Sequence, residues 1–419
     1  MRRLARIIVP ALLVISLLIP LGYSCAPSTK GFLDEIKNWV VRNRQLPELS
    51  PIEYELMTTG ELHSNLLDDF EAEYDEQETS AQKELLELLG LIPENLDLYT
   101  LYLDLYTEQI AGYYDPEERK IYVISNKQGL SVSDKMTFAH EVTHALQDQH
   151  YDLETLLDLN EDNSEYSMSI RSLIEGDAQL TQSLYYWTGL SQRERDIFEQ
   201  ESEQTKSPIY DAAPRIIRES LIFPYTQGVE FVLAFYKDGG WEAVNKIYGN
   251  PPESLEQIIH PAKYTSGDSP KAVDLPDLHT LLGGSWKLKD DGTVGEFDLR
   301  LTLEAFIPPS ETTKEAAAGW GGDKYAYLKD DTGSKLLVIY SEWDTEGDAK
   351  EFFDLYAANR AGTDINENTW ALRVFVGKDQ ITWEAADLVT YLEISGNDVL
   401  LIITSDKITA DLVRDAVLP

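Results

Sequence analysis

The chain has 419 residues, of which 74 are acidic and 35 are basic, giving a formal net charge of −39. This length allows two domains of ordinary size, and a hydrophobic content of 43% is enough to fill their cores. Because nucleic-acid binding requires clustered Lys and Arg side chains, this charge argues against DNA or RNA as a partner.

The first 25 residues have the pattern of a targeting segment. Three arginines precede an apolar run over 7–21, which is short for a membrane span and normal for the core of a signal peptide. Cys25 follows this run and is the only cysteine of the sequence, so no internal disulfide can form.

A cysteine at this position resembles the lipidation site of bacterial lipoproteins, so Cys25 is the predicted site of a lipid anchor. Gly22 and Tyr23 are not the usual residues of that pattern, and a plain secretory signal or an uncleaved anchor are the alternatives. All three interpretations predict an extracytoplasmic protein, either membrane-anchored or secreted.

The remaining chain predicts an α+β protein in three regions: a helical N-terminal region over 26–97, a mainly helical domain with a small sheet over 98–282, and an α+β domain over 283–419. A helical pattern runs from about 51 to 108, across the boundary between the first two regions. In the second region, Gly176 would allow two helices to approach closely.

The central domain starts with a hairpin, because two runs rich in aromatic and β-branched residues, 110–115 and 120–125, flank a Pro-led turn. Ser133 or Asp134 is the expected N-cap of a helix that ends near Gln149. Further predictions are helices over 167–187, 214–237 and 240–248, a polar stretch over 191–207 and an irregular segment over 251–278.

The C-terminal region has the alternation of strands. These are predicted over 296–303, 324–329, 335–342, 370–377, 380–384, 388–395 and 398–404, with helices over 346–360 and 406–417. Nothing there has the spacing of metal ligands or of a nucleophile, so we expect an accessory domain that binds or packs.

The sequence His140-Glu141-Val142-Thr143-His144 lies in the helix that follows the hairpin. Two His residues four apart share one helix face, so both imidazoles can reach one ion. Glu141 lies about 100° around the helix, where it can contact a metal-activated water without being a ligand. This pattern predicts a zinc site that hydrolyses a carbonyl compound with Glu141 as general base.

A catalytic zinc needs a third protein ligand, and the sequence offers two. His150 has the spacing of the third His in the metzincin pattern, but that pattern requires a helix-ending Gly where this chain has Gln147. Glu175 lies 31 residues after His144, in the next predicted helix and among apolar residues, where a carboxylate needs a partner. Glu175 is therefore the preferred ligand.

The run from His140 to His150, followed by Glu175-Gly-Asp-Ala178, resembles the gluzincin-type peptidases of the thermolysin-like superfamily. It is similar, more narrowly, to a group of uncharacterised prokaryotic secreted or lipoprotein metallopeptidases, which also share motifs like 112–115, 251–254, 257–261 and 343–345. The resemblance implies a zincin-like domain over 98–282, with zinc on His140, His144 and Glu175 and with Glu141 as general base.

The other roles have less specific candidates. This chain has Gln179 where thermolysin has the Asp that orients a ligand His, so Asp177 and Asp148 are the candidates for that task. Tyr225 and His260 are the candidates for stabilising the oxyanion. An extended peptide could pair with the strand that carries Tyr113 and Tyr114 if its edge is open.

Two functions from different classes fit these patterns. The first is a zinc endopeptidase that acts on an extracytoplasmic protein or peptide. The second is a non-catalytic binding lipoprotein that retains a metallopeptidase scaffold. The intact Glu141 favours the enzyme, since a purely structural zinc site has no need of a general base.

Overall fold

The described part of the chain is an α+β fold of sixteen helices and two sheets. The computed structural model describes residues 12–15, 29–58, 60–61, 64, 67, 76–124, 130–160, 163–359, 372–385 and 388–418. Cys25 and its predicted lipidation lie outside these residues. Within them, none of the helices combines the length and the apolar character that crossing a membrane requires.

The N-terminal half contains a four-stranded sheet in the order β1-β3-β4-β2, and the predicted hairpin is confirmed as its centre. Its strands are β1 (Leu12–Ile15), β2 (Glu53–Met57), β3 (Ile110–Asp115) and β4 (Lys120–Ile124). The prediction of helix from 51 onwards is wrong over β2. That segment pairs in parallel with β4, and this long-range pairing outweighs local propensity.

Helices surround this sheet and form the larger hydrophobic core with it. They are α1 (Thr29–Arg44), α2 (Glu76–Leu88), α3 (Leu98–Gln109), α4 (Val132–Tyr151), α5 (Leu153–Asp158), α6 (Ser164–Thr188), α7 (Gln192–Gln204), α8 (Pro208–Ala212), α9 (Arg215–Ile247), α10 (Leu255–Ile259), α11 (Pro261–Ser266) and α12 (Leu278–Leu282). Two of these helices also contact the cores of the C-terminal sheet. In α2, Leu85 and Leu88 belong to the core on one face of that sheet whereas Leu86 belongs to the larger core, and Leu278 of α12 belongs to the core on the other face.

Helix α4, which carries the His-Glu motif, begins two residues earlier than predicted. Its N-cap is Ser131, whose hydroxyl accepts a hydrogen bond from the Asp134 N–H while the Asp134 carboxylate accepts one from Ser131 N–H. Asp134 is therefore the third residue of a capping box and not the cap itself.

The polar stretch over 191–207 contains helix α7, which begins with a second capping box, formed by Ser191 and Glu194. None of the thirteen residues of α7 is buried, so the segment has no apolar periodicity from which a helix could be predicted. The helices predicted over 214–237 and 240–248 form α9, which is kinked at Gly239 and Gly240.

Helices α6 and α9 pack closely because a glycine on each allows backbone contact. A Cβ atom on Gly176 would lie 2.2 Å from the carbonyl oxygen of Gly228, and one on Gly228 would lie 2.1 Å from that of Ser172. The close approach expected at Gly176 is thus made with α9 and not with α4. It fixes the position of α9, which carries Tyr225.

The C-terminal region is a seven-stranded antiparallel sheet in the order β5-β6-β7-β11-β10-β9-β8, with hydrophobic cores on both faces. Its elements are β5 (Lys287–Gly292), α13 (Gly295–Glu304), α14 (Glu311–Ala317), β6 (Trp320–Lys329), β7 (Lys335–Trp343), α15 (Glu346–Asn359), β8 (Leu372–Val376), β9 (Gln380–Glu384), β10 (Val389–Ser395), β11 (Asp398–Thr404) and α16 (Lys407–Val417).

One predicted strand of this region, 296–303, is wrong, since the segment is helix α13. Its apolar residues alternate as in a strand because the helix contacts two cores on opposite sides. Phe297 and Leu301 belong to the core of the N-terminal half, and Leu299 and Leu303 belong to the core of the C-terminal sheet. The two residues of each pair are four apart and therefore lie on one face of the helix. Because the two pairs are offset by two residues, the apolar positions in the sequence alternate with a period of two.

Replacing Gly228 with Ala should destabilise the protein by about 1–3 kcal/mol or more, because the added methyl group would overlap the Ser172 backbone. Thermal or urea unfolding measures the change. Gly284→Ala is the control, since no heavy atom lies within 4 Å of a Cβ there. Equal stability of the two variants would contradict this packing.

Candidate metal centre

Helix α4 presents its motif to the interior between the small sheet and helix α6. His140, Glu141 and His144 are each 0% exposed, and Glu175 of α6 is 2% exposed. The imidazole rings of His140 and His144 meet edge to face with centroids 4.6 Å apart, as the spacing of four residues predicts.

The three predicted ligands converge on one point. Nε2 of His140 lies 3.0 Å from Oε2 of Glu175, and Nε2 of His144 lies 3.4 Å from the same oxygen. Ligand atoms about 2.0–2.1 Å from a tetrahedral ion stand roughly 3.3 Å from one another. This cluster can therefore hold a metal ion, and it is the one group of three such ligands found among the described residues.

The charges of the cluster also suit a cation. Burial would raise the pKa of Glu175, but the two imidazoles outweigh burial and lower it. Burial lowers the pKa of His140, whereas the Glu175 carboxylate overcomes burial at His144 and raises the pKa of that imidazole. An anionic carboxylate is thus held inside the protein by positive charge, which a metal cation supplies when it is bound by neutral imidazoles.

Glu141 lies beside this cluster without being part of it. Burial raises the pKa of its carboxyl to about 8, and the charges of His144 and Glu175 act on it in opposite directions. No side chain among the described residues donates a hydrogen bond to either carboxylate oxygen, and the Tyr114 backbone, which acts against burial, lowers the pKa only in part. A fully buried carboxylate needs further donors, and a water at the metal would provide one.

The residue that orients His144 is Gln147, which the sequence did not single out for this role. Its Oε1 lies 2.8 Å from Nδ1 of His144. The two predicted partners make other hydrogen bonds: Asp177 binds Arg44, and Asp148 accepts from the Tyr114 hydroxyl. The sequence feature that could have identified Gln147 is its position on the motif helix, where metzincins require a Gly.

His140 has a different environment from His144. Nδ1 of His140 has no close hydrogen-bond partner among the described residues. The side chain of Gln182 lies near the imidazole and offsets part of the lowering of its pKa by burial. Gln182 lies on α6, seven residues and thus two turns after Glu175.

Tyr225 is brought to the cluster by α9, whereas His260 and His150 have other contacts. The Tyr225 ring lies 6.2 Å from that of His140. Burial raises the pKa of the Tyr225 hydroxyl well above its usual value, and the Glu175 carboxylate adds to the shift. Nε2 of His260 contacts the Glu296 carboxylate at 2.9 Å, and Nε2 of His150 lies 2.8 Å from the Pro47 carbonyl.

Lys263 links the C-terminal sheet to the helices that follow α9. Its ammonium donates to Glu256 of α10 and to Asp344, which follows β7, each at 2.6 Å. Asp344 belongs to the motif segment 343–345 and Glu256 directly precedes the motif segment 257–261, so these ion pairs give both regions a structural contact.

Comparison with known proteins adds one match. Residues 285–414 match a family described as a domain of unknown function (DUF8575), which covers most of the C-terminal region and none of the metal cluster. Neither the curated proteins nor the solved structures contain a match to the chain.

Replacing Glu175 with Gln should weaken zinc binding by at least roughly 100-fold, because a neutral amide replaces the anionic ligand. Chelator competition with purified protein measures the dissociation constant. His150→Ala is the control and should bind zinc like the wild type, since His150 lies against Pro47. The reverse result for the two variants would contradict this ligand set.

Proposed function

We propose that this protein is a zinc-dependent peptidase of the gluzincin type that hydrolyses extracytoplasmic proteins or peptides. The observation that carries the proposal is the Glu141 carboxylate, which is fully buried beside three convergent ligand atoms and receives no hydrogen bond from a side chain of the described residues. A structural metal site gains nothing from such a group, whereas a hydrolase needs a base there.

Zinc is the proposed ion because of the donor set. Two imidazole nitrogens and one carboxylate oxygen are the ligands of catalytic zinc in hydrolases that keep a fourth position for water. Magnesium and calcium prefer sites made only of oxygen atoms. The sequence resemblance to gluzincins points to the same ion.

Bound zinc would supply a Lewis acid that lowers the pKa of a water molecule towards neutrality. The Glu141 carboxylate, beside the three ligand atoms, would accept the proton of an attacking water and return a proton to the leaving amine. Tyr225 has a strongly raised pKa, so it keeps its hydroxyl proton and can donate a hydrogen bond to the developing oxyanion. His260, held by Glu296, is the weaker candidate for that donor.

Strand β3 is the proposed site for an extended substrate. In the full-length chain its outer edge pairs antiparallel with β1, which lies inside the predicted targeting segment. Removal of that segment before Cys25 would leave the edge open for strand addition. A lipid on Cys25 would hold the enzyme at the outer face of the membrane; secretion without an anchor is the alternative.

Replacing Glu141 with Gln should leave zinc binding unchanged and lower the rate of peptide hydrolysis by about 10²–10⁴-fold, because the amide cannot accept the proton. Zinc content and the cleavage of a broad peptide library measure the two effects. Bound zinc without any Glu141-dependent cleavage would contradict the proposal and favour a non-catalytic binding lipoprotein.

Replacing Tyr225 with Phe should lower kcat by roughly 10²–10³-fold with little change in KM, because the hydroxyl acts on the transition state. Steady-state kinetics on a cleaved peptide test this. His260→Gln is the matched variant for the other candidate. A larger loss in His260→Gln than in Tyr225→Phe would reverse the assignment.

A further inference from the structure

A line of buried hydrogen bonds runs from His144 to Arg44, the last residue of α1. Nδ1 of His144 lies 2.8 Å from Oε1 of Gln147. Nε2 of Gln147 lies 2.9 Å from the hydroxyl oxygen of Tyr248, which in turn lies 2.8 Å from Oδ2 of Asp177. Arg44 ends the line with two bonds to Asp177, of 2.6 Å from Nε and 2.8 Å from Nη2.

The chemistry of these groups fixes the direction of each bond. Nε2 of Gln147 also lies 2.9 Å from the Ile174 carbonyl, which can only accept, so this end of the amide is the NH₂ group. The amide oxygen therefore faces His144 and accepts from its Nδ1–H. The second hydrogen of the Gln147 amide goes to the Tyr248 oxygen. The Tyr248 hydroxyl then donates to Asp177, since a carboxylate only accepts.

This direction has a consequence at the metal cluster. A neutral imidazole with its hydrogen on Nδ1 has its lone pair on Nε2, and Nε2 of His144 is the atom that lies 3.4 Å from Glu175. We propose that Gln147, Tyr248, Asp177 and Arg44 are positioning residues that hold His144 in its metal-binding tautomer. The proposal rests on the metal centre of the proposed function.

The burial of the line supports a role beyond packing. Gln147, Asp177 and Arg44 are each 0% exposed and Tyr248 is 5% exposed. A buried ion pair contributes little net stability, because the cost of desolvation offsets its attraction. The Arg44–Asp177 pair instead orients the Tyr248 hydroxyl, and the successive hydrogen bonds of the line restrict the orientation of each member.

The same hydrogen bonds make helix α1 part of the structure that supports the metal ligands. Arg44 lies 4.2 Å from the centre of the Trp241 ring, and the Trp241 indole donates to the Asn43 carbonyl, so the end of α1 is held on α9. Removal of α1 would leave the Asp177 carboxylate buried without its cation, which is strongly unfavourable. Helix α1 is therefore part of the metal-binding unit and not a removable pro-segment.

Replacing Tyr248 with Phe breaks the line at its centre. The phenyl ring can keep the stacking on Tyr151, where the centroids are 3.9 Å apart, so folding should be retained. We expect the zinc dissociation constant, from chelator competition, to rise about 10–100-fold. Selective ¹⁵N-histidine NMR of the zinc-loaded protein should show faster solvent exchange of the His144 Nδ1–H.

Tyr327→Phe is the matched control, because Tyr327 is also a buried tyrosine that donates to a carboxylate, Glu84, but lies in the core of the C-terminal sheet. It should lose stability without losing zinc affinity. Arg44→Lys, which keeps the charge but not the paired bonds, should show a smaller loss of zinc affinity than Tyr248→Phe. Tyr248→Phe decides the question even where an Arg44 variant does not fold.

Unchanged zinc affinity and unchanged Nδ1–H exchange in Tyr248→Phe would overturn the inference and leave the peptidase proposal standing. Zinc binding that depends on Tyr248, without any Glu141-dependent hydrolysis, would overturn the peptidase and support the inference. A wild-type chain that binds no zinc would overturn both.

Discussion

The burial of the Glu175 carboxylate is the constraint on which the rest of this structure depends. A carboxylate inside a protein requires positive charge or donors, and here two imidazoles of the neighbouring helix stand within 3.4 Å of it. That geometry holds only if α4 and α6 keep a fixed register. The glycine contact between α6 and α9 then brings Tyr225 to the same point, and α1 supplies the cation for Asp177, another buried carboxylate of α6.

The metal ligands could be predicted because the signals for them lie in short stretches of the sequence. The spacing of His140 and His144 predicts a shared helix face, and Glu175 was recognisable as a carboxylate in an apolar helical stretch. The partners that position these ligands were not predictable. Gln147 reaches Tyr248 across 101 residues, and Asp177 reaches Arg44 across 133, so only the folded chain relates them. Asp177, a predicted candidate for orienting a ligand His, is connected to His144 through Tyr248 and Gln147.

The secondary structure could likewise be predicted from local patterns but not from long-range contacts. The hairpin and six of the seven strands predicted beyond residue 283 are confirmed, because alternation along one face is a local signal. Segment 296–303 is the exception, since a helix between two cores also alternates. Strand β2 was missed because parallel pairing with β4 determines it, and α7 because no residue of it is buried.

We propose that His140, His144 and Glu175 bind one zinc ion, and anomalous diffraction at the zinc edge from crystals of the zinc-loaded wild type would locate that ion. We expect a single strong peak about 2.0–2.1 Å from Nε2 of both histidines and from Oε2 of Glu175. A peak bound by His150 or His260 instead, or no peak between α4 and α6, would contradict it.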